Sequence, residues 1–433
     1  MMSKEPQVIY WFRQDLRVHD NLALNRAHAA GQKVLHIVHG LPSHPTHWGF
    51  ERVSAHRQQF RAQATMSLQS ILNKYGQTLI TSTEAIESSI IDLAKRHHIQ
   101  HVFCESLETP EELLSVQTLK DAGLNVHTIS QSSLFLDHEL PFTVCQTPNI
   151  FTVFRQKIEQ NNIHPSSCEP PLFDLNNQTD QQLFFNVSLD GRASFPFNQI
   201  AWQGGEVAAL SHLDRYFASD LPQHYKTTRH DLTGINYSTK FSPWLAQGAL
   251  SPRLVWERLK QHEGNFGAND STYWVGFELL WREHFRLMMR RHRATLFRKQ
   301  GLLNTEEKTH QVASDLHHHD TQTRQLYAWR QGETGQSFID AAMHELQTTG
   351  FLSNRLRQIV ASFAIHDLGI DWRAGAAWFE HCLIDYDVHS NHGNWAYIAG
   401  VGTDPRGGRK FNVNKQIQQY DPDGHYQSLW KHP

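Results

Sequence analysis

Asp385-Tyr-Asp-Val-His-Ser-Asn-His-Gly-Asn-Trp-Ala-Tyr397 places two carboxylates, two carboxamides, a glycine and three aromatic rings within thirteen residues. Aspartate and asparagine side chains compete for nearby backbone groups and are poor residues for a helix interior. We therefore predict an irregular turn followed by a short helix. Because the stretch lies between helical segments, its polar atoms either face water or line a site where each has a partner.

A second polar set lies upstream, on a predicted helix that begins near residue 354. Asn354, Arg357 and Gln358 fall three and four residues apart and therefore share one face. Arg357 on that face could pair with Asp385 and form a charged, directional pocket. A structural ion pair beneath a loop would explain the same residues, so the pattern alone leaves both interpretations open.

The run Ser238-Thr-Lys-Phe-Ser242 stands directly before Pro243, where the pattern predicts the start of a helix. Hydroxyl groups and free backbone N–H groups at a helix start can bind phosphate. Helix capping alone would explain one serine or threonine but not the whole run. The run therefore favours a phosphate site.

A predicted helix over 274–293 brings Glu278, Trp281, Arg282 and Phe285 onto one face. An acid beside a tryptophan and an arginine is unusual on a face that packs into a core. From periodicity alone, a core tryptophan with an ion pair at its edge is as good an explanation as a binding site.

These stretches resemble the photolyase/cryptochrome flavoproteins, and most closely their cryptochrome DASH branch. The resemblance runs from Trp11-Phe-Arg-Gln-Asp-Leu-Arg17 to residues 412–421. It is densest over Tyr237-Ser-Thr-Lys-Phe-Ser-Pro-Trp-Leu245 and Asp270-Ser-Thr-Tyr-Trp-Val-Gly-Phe-Glu-Leu-Leu-Trp-Arg282. The implied fold is α/β plus all-α: a parallel-sheet, Rossmann-like antenna domain over 1–135, a long linker over 136–203, and an all-helical domain that binds FAD and DNA over 204–433.

The pattern of the chain agrees with this division. Short apolar runs at 8–11, 34–38, 78–81, 101–104 and 126–129 alternate with helical stretches near 21–30, 52–75, 84–97 and 110–122, which predicts a parallel, helix-covered sheet. No G-x-G-x-x-G follows the first strand, so a dinucleotide fingerprint is missing and an ordinary FAD oxidoreductase is disfavoured. Residues 160–203 are rich in proline and amides and predict a linker.

We predict structural roles for two charged clusters of the first domain. We expect Arg13, Asp15 and Arg17 to form an ion-pair lattice that holds the first loop to the other domain. An antenna-binding carboxylate could lie among Glu105, Glu108, Glu111 and Glu112, but a solvated helix start explains these acids better, and no antenna residue is assigned.

Composition limits the remaining possibilities. A chain of 433 residues favours two domains, and a formal net charge of −3 means that any nucleic-acid surface must be local. There is no membrane-spanning apolar run and no signal peptide, so we expect a soluble, cytoplasmic protein. Four cysteines without metal-site spacing, and a triple histidine at 317–319 that predicts a solvated loop, give no metal site.

The resemblance implies FAD as cofactor, with the pyrophosphate held by residues 238–242 beneath Tyr225, the Arg357–Asp385 pair beside the flavin, and Asn391 facing its N5. The implied cofactor-binding residues are Tyr225, Ser238, Thr239, Lys240, Phe241, Ser242, Arg282, Asn354, Arg357, Asp385, Asp387 and Asn391. The implied catalytic residues are Glu278, Trp281, Asn391, Trp395 and Trp372. The implied DNA-binding residues are Arg229, Glu278, Trp281, Asn354, Arg355, Gln358 and Tyr397.

The implied activity is that of a deoxyribodipyrimidine photolyase, a carbon–carbon lyase that repairs cyclobutane pyrimidine dimers with blue light. Gln358 and Tyr397 stand where duplex-repairing members carry Met and Trp, so we expect a monomer that prefers single-stranded DNA, because extruding a base from a duplex costs a few kcal/mol. The alternative is a blue-light photoreceptor with little repair activity. Signalling members often carry long tails, and the short stretch after residue 421 favours the enzyme. Whether 5,10-methenyltetrahydrofolate is bound as an antenna stays open.

Photoreduction in this family uses three tryptophans in series. Trp395 and Trp372 match the first two, whereas His319 occupies the third position. Trp329, Tyr327 and Trp378 are candidates to replace it. We therefore expect slower or rerouted photoreduction.

Overall fold

The computed structural model of the protein describes residues 7–41, 44–82, 84–175, 183, 187–303, 316–404 and 406–432, with side chains from residue 322 onward in the fifth long stretch. Residues 317–319 belong to a helix, so the prediction of a loop there is wrong. The side chains of these three residues are outside the described part of the chain.

The N-terminal part contains a five-stranded, fully parallel sheet in the order β3-β2-β1-β4-β5. Its strands are β1 Gln7–Phe12, β2 Lys33–His39, β3 Leu79–Ser82, β4 His101–Glu105 and β5 Asn125–Ile129. Each predicted strand is confirmed to within one residue at either end. Apolar side chains cover both faces of the central strands, as expected for a parallel sheet with helices on both sides.

The helices between the strands and after them follow the chain in order. They are α1 Leu22–Ala30, α2 Ala55–Lys74, α3 Ile86–His97, α4 Pro110–Asp121, α5 Phe151–Gln160, α6 Glu206–Ala218, α7 Leu221–Thr228, α8 Ser242–Gln247, α9 Pro252–Phe266, α10 Asp270–His292, α11 Leu316–Gln331, α12 Ser337–Thr349, α13 Asn354–His366, α14 Trp372–Cys382, α15 Val388–Ile398, α16 Val413–Tyr420 and α17 His425–Leu429. Short 3-10 turns occupy Asp137–Glu139, Val144–Gln146, Ile200–Trp202 and Arg293–Phe297. The two-part fold class is confirmed.

The loop after β1 ties the sheet to the helical part, as predicted, but mainly through hydrogen bonds. The Arg17 guanidinium donates to the carbonyl of Gly248 at 2.9 Å. Asp15 is not ion-paired across the boundary, because it accepts from Tyr10 and the Arg13 backbone instead. One of the ion pairs that cross between the parts joins Asp20 and Arg253 at 2.6 Å, with both side chains almost fully buried.

The buried position of Glu105 contradicts part of the prediction for the acidic cluster. It ends β4 and is fully buried, with no hydrogen-bond partner for either carboxylate oxygen and the Arg286 guanidinium 3.7 Å away. Burial raises the pKa of Glu105 to about 7, helped by Asp15 and opposed by Arg286. Only Glu111 and Glu112 lie in the first turn of α4, where a solvated helix start was expected.

The segment 136–203 includes ordered structure. Helix α5 lies in it and buries Phe151, Phe154 and Ile158 in the core of the helical part. Helix α5 is therefore packed against the helical part, and the domain boundaries themselves stay a prediction.

No helix in the described part of the chain combines the length and apolar character that crossing a bilayer requires. The same residues contain no cluster of three or more histidine, cysteine or acidic side chains arranged to hold a metal ion.

Candidate active site

A cavity of 410 Å³ opens among α7, α10, α13 and α15 in the helical part. Most of the predicted site residues line it. These are Tyr225, Arg229, Ser238, Thr239, Lys240, Phe241, Ser242, Glu278, Trp281, Arg282, Asn354, Arg357, Gln358, Asp385, Asp387 and Tyr397. A smaller cavity of 80 Å³ shares several of these residues and adds Asn391 and Trp395. Residues far apart in the sequence therefore meet around one space.

Helix caps orient two of the walls that carry polar groups. Asn269 caps α10 by accepting from the backbone N–H of Ser271 at 2.8 Å. Asp387 caps α15 by accepting from the backbone N–H of Ser390 at 2.7 Å, which confirms the predicted turn before a short helix. Because Asp387 also lines the cavity, the cap fixes a carboxylate at the cavity wall.

The run 238–242 forms one end of the cavity. Lys240 has a left-handed backbone with φ of 57° and is 1% exposed. Its Nζ lies 3.2 Å from the centre of the Tyr237 ring and has no hydrogen-bond partner. Burial lowers the pKa of Lys240 well below its usual range, against the attraction of Glu345. An unpartnered amine beside hydroxyl groups leaves unused donors, which fits a phosphate group.

Arg357 and Asp385 form the predicted ion pair. One guanidinium nitrogen, Nη2, lies 2.8 Å and 3.0 Å from the two Asp385 oxygens, while Nε donates to the Leu352 carbonyl at 2.8 Å. The Asp385 side chain is 2% exposed and that of Arg357 is 22% exposed. The carboxylate therefore fixes a guanidinium that keeps access to the cavity.

A second cationic group faces Asp387. Arg282 donates to the carbonyl of Ser132 at 2.9 Å, and burial together with Arg286 lowers the pKa of Arg282 to about 10. Burial alone would raise the pKa of Asp387, but His389, Arg282 and Arg286 hold it well below its usual range. Asp387 is therefore an anion surrounded by cations at the cavity wall.

Asn391 lies in the smaller cavity with one end of its amide fixed. Its Nδ2 donates to the carbonyl of Ala376 at 2.9 Å. Turning the amide would break this bond, so the side chain oxygen is the atom directed away from α14. The fixed amide argues for an acceptor at this position rather than a group that turns to donate or accept.

The opposite wall joins an acid to aromatic rings. Glu278 accepts from Arg229, and burial raises the pKa of Glu278 while the Arg229 guanidinium opposes that rise. The Trp281 ring lies flat against Phe151, with centroids 3.7 Å apart, and stands edge-on to Tyr397 at 5.9 Å. This combination offers a hydrogen-bonding carboxyl and a π face, which suits a planar, polar ring.

Two predicted residues are not among those lining either cavity. Arg355 lies behind Gln358, to which it donates at 3.2 Å, because it falls on a different face of α13 from Asn354 and Arg357. Trp372 donates from its indole nitrogen to the Lys299 carbonyl at 3.0 Å and contacts the His392 ring. Any role of these two residues is therefore exerted from outside the two cavities.

Several lining residues were missed in the sequence. Tyr237 and Asn394 lie inside motifs that were quoted, and attention to every polar or aromatic position of those motifs would have found them. Arg409 follows the last motif by more than ten residues and donates to the Tyr397 hydroxyl at 2.6 Å. Phe151 does not line the cavity, but its ring supports Trp281. It lies in the segment predicted as a linker, where no local sequence pattern indicates this contact.

Comparison with known proteins agrees with this geometry. Residues 8–171 match the family model described as DNA photolyase, and residues 274–431 match that of the FAD binding domain of DNA photolyase. A cryptochrome DASH of Synechocystis sp. is 40% identical over 99% of this chain and 88% of that protein. The chain belongs to the photolyase/cryptochrome family, in its cryptochrome DASH branch.

Solved structures of photolyases and cryptochromes share the fold. The crystal structure of a Synechocystis sp. PCC6803 cryptochrome has a TM-score of 0.87 and 39% identity, and the match covers 99% of this chain and 89% of that chain. A bacterial class III photolyase from Agrobacterium tumefaciens has a TM-score of 0.75 and 26% identity, covering 99% and 87%. The cofactor of this photolyase/cryptochrome chain is FAD, and the cavity contains groups suited to its phosphates and its charged ring.

Proposed function

We propose that this protein is a deoxyribodipyrimidine photolyase that uses blue light to repair cyclobutane pyrimidine dimers, preferentially in single-stranded DNA. The observation that carries the proposal is the shared cavity. Glu278, Trp281 and Gln358 line the same space as the phosphate-binding run 238–242 and Arg357. A lesion bound by the first set would lie against a cofactor bound by the second.

Bound FAD, when reduced and excited by light, supplies an electron to the dimer. The role that we assign to the Arg357–Asp385 pair is electrostatic. Asp385 fixes the guanidinium, and the guanidinium places positive potential toward the cavity, where it favours negative charge on the flavin. Asn391 would present its side-chain oxygen to the flavin edge, because its nitrogen is bonded to Ala376.

Glu278 and Trp281 are assigned to the lesion. A carboxyl with a raised pKa can donate a hydrogen bond to a pyrimidine carbonyl, which stabilises added negative charge there. Trp281 offers the ring face that Phe151 does not cover, and stacking on an aromatic side chain is worth about 1–3 kcal/mol per base. The two residues act on the same cavity, so they can hold one dimer together.

The preference for single strands is assigned to Gln358 and Tyr397. Both line the cavity, and both are bound by arginines, Gln358 by Arg355 and Tyr397 by Arg409. A polar amide and a single phenol ring give less apolar contact to an extruded dimer than methionine and tryptophan would. Extrusion from a duplex costs a few kcal/mol, so a pocket with fewer contacts favours unpaired lesions.

The test uses purified protein containing FAD. Its visible spectrum is recorded, and it is illuminated with dimer-containing oligonucleotides in single-stranded and double-stranded form. We expect faster repair of the single strand, loss of repair in Trp281→Ala and Glu278→Ala, and little change in Glu263→Ala, whose carboxylate pairs with Lys260 on the surface. Light-dependent flavin chemistry without repair of either oligonucleotide would refute the proposal and support the photoreceptor alternative.

We further propose that the protein acts as a monomer in the cytoplasm. Light scattering coupled to gel filtration tests the first part. A mass near 50 kDa would support it, and twice that mass would contradict it.

A further inference from the structure

A row of rings and guanidinium groups borders the cavity. It consists of Trp274, Arg229, His230, Arg355 and Tyr420, which we call the rim stack. The Arg229 guanidinium lies 4.4 Å from the centre of the Trp274 ring, and the Arg355 guanidinium lies 4.9 Å from that of Tyr420. His230 follows Arg229 in the chain and contacts the other pair, since its Nδ1 is 3.2 Å from Arg355 Nη2 and its ring lies against that of Tyr420.

The rim stack is attached to the cavity at two points. Arg229 donates to Glu278, and Arg355 donates to Gln358 Oε1 at 3.2 Å. Glu278 and Gln358 both line the cavity, whereas Trp274, His230, Arg355 and Tyr420 are not among its lining residues. The rim stack therefore begins where the lesion pocket ends.

The charge of the rim stack is unevenly balanced. Arg229 is paired with Glu278. Among the described contacts Arg355 has no carboxylate partner, because its partners are the neutral amide of Gln358 and the ring nitrogen of His230. Burial and the two arginines lower the pKa of His230 to about 4, so His230 is neutral near pH 7. One net positive charge is thus held beside the pocket.

All five side chains keep part of their surface accessible, and their order alternates cation with ring. Proteins that bind single-stranded nucleic acid combine positive charge along the backbone with rings on which unpaired bases stack. Bases also stack on guanidinium planes. A row of this kind, which begins at the pocket, matches the nucleotides next to a lesion rather than a separate binding groove.

We propose that the rim stack binds the nucleotides that flank the dimer on the same strand. Tyr420 and Trp274 would stack with unpaired flanking bases, and Arg355 would contact a backbone phosphate. This inference rests on the proposed repair function, and it adds to the single-strand preference, because flanking bases that remain paired in a duplex cannot stack on protein rings.

The first experiment varies the length of the substrate. Affinity and repair are measured for a dinucleotide dimer and for a single strand of about nine nucleotides with a central dimer. In Tyr420→Ala we expect the long strand to bind about tenfold more weakly, as for the loss of one stacked base. Repair of the dinucleotide should change little. Tyr420→Phe should restore affinity for the long strand, together with any stability lost in Tyr420→Ala, because the Tyr420 ring also packs against the core of the helical part.

The second experiment addresses Arg355 through salt. In Arg355→Gln the slope of log affinity against log salt should fall by about 0.7 for the long strand, as for the loss of one phosphate contact. The control is Arg258→Gln, which removes the same charge from a surface pair with Asp214 and should leave the slope unchanged.

The outcomes separate the two proposals. If the wild-type protein fails to repair the dinucleotide and the long strand, the proposed function is wrong. If it repairs both, but Tyr420→Ala weakens both substrates equally or neither, the rim stack is only a structural ladder and the inference is overturned. An unchanged salt slope in Arg355→Gln would also overturn the phosphate contact.

Discussion

Phe151 lies flat against Trp281, with ring centroids 3.7 Å apart and planes 10° from parallel. Phe151 begins α5, in the segment between the two parts of the chain, whereas Trp281 is in the middle of α10. Tyr397 stands edge-on to the same indole at 5.9 Å. The indole is therefore fixed from behind and from one side, while it still lines the cavity.

From this contact we expect Phe151→Ala to weaken binding of a dimer-containing single strand. The change removes the backing of Trp281 and leaves a cavity, so we also expect the free energy of unfolding to fall by about 3 kcal/mol. Affinity is measured by fluorescence anisotropy, and stability by urea unfolding. Val153→Ala, at an exposed position of the same helix, is the matched control and should alter neither. Unchanged affinity in Phe151→Ala would show that Trp281 contributes to binding without support from the Phe151 ring.

Asp385→Asn should loosen the hold on FAD. The substitution removes the charge that fixes Arg357 and leaves a partly buried guanidinium without its counterion. We expect a stability loss of about 2 kcal/mol, below the 3–5 kcal/mol typical of a fully buried pair, because Arg357 keeps some exposure. The ratio of flavin to protein absorbance after purification should also fall. Asp371→Asn, which breaks the more exposed pair with Arg373 but can still cap α14, is the control. Equal losses in both variants would contradict the prediction.

Glu105→Gln tests the buried carboxylate at the end of β4. In the folded protein its pKa is about 7, against an ordinary value of 4.5, so between these values the folded state keeps a proton that the unfolded state releases. Stability contributed by this group therefore falls as pH rises through that range. Relative to the wild type, the variant should gain up to about 3 kcal/mol between about pH 5 and about pH 8.

Urea unfolding at the two pH values measures this difference. Any cost of placing an amide beside Arg286 is present at both pH values and cancels. Glu108→Gln, at a position that is only partly buried, should show no such pH-dependent gain. A constant offset between Glu105→Gln and the wild type would mean that Glu105 does not titrate in this range.

The electron route to the flavin is predicted to branch at Trp395. The Trp329 ring lies 6.0 Å from the Trp395 ring at 85° and is fully buried, which makes it the candidate in direct contact. Trp378 packs against Phe50 and His381 instead. We expect Trp329→Phe to slow photoreduction of bound FAD in the presence of an external reductant, and Trp378→Phe to have a smaller effect. If only Trp372→Phe slowed it, the branch through Trp329 would be excluded.

Much of the site could be predicted because it is built from local patterns. The turn and cap at Asp387 follow from the preference of aspartate for helix starts, and helical periodicity placed Asn354, Arg357 and Gln358 on one face. The strands were predictable because buried parallel strands are short, continuous apolar runs. These features depend only on residues within a few positions of one another.

The features that local patterns did not predict share a different physical cause. Phe151 stacks on a residue 130 positions away, and nothing in its own neighbourhood requires a ring there. Glu105 looked like part of a solvated acidic run, but the strand ends at this residue and carries it beneath α10, where Arg286 lies. Arg355 fell outside the cavity because one residue along a helix turns a side chain by about 100°. Each of these depends on how distant elements pack.

The last prediction concerns Gln358 and Tyr397. Gln358→Met with Tyr397→Trp should raise repair of a dimer in duplex DNA relative to the same dimer in a single strand, because both changes add apolar contact for an extruded lesion. The gain should be incomplete. Tyr397→Trp also removes the hydroxyl that accepts from Arg409 at 2.6 Å, and Gln358→Met removes the acceptor for Arg355, so two guanidinium groups lose a partner.

Tyr397→Phe, which loses the hydroxyl without enlarging the ring, separates these effects. Repair rates on matched single-stranded and duplex oligonucleotides measure the ratio. If the double variant and the wild type have the same ratio, the two positions do not set strand preference, and that preference must come from surfaces outside the pocket such as the rim stack.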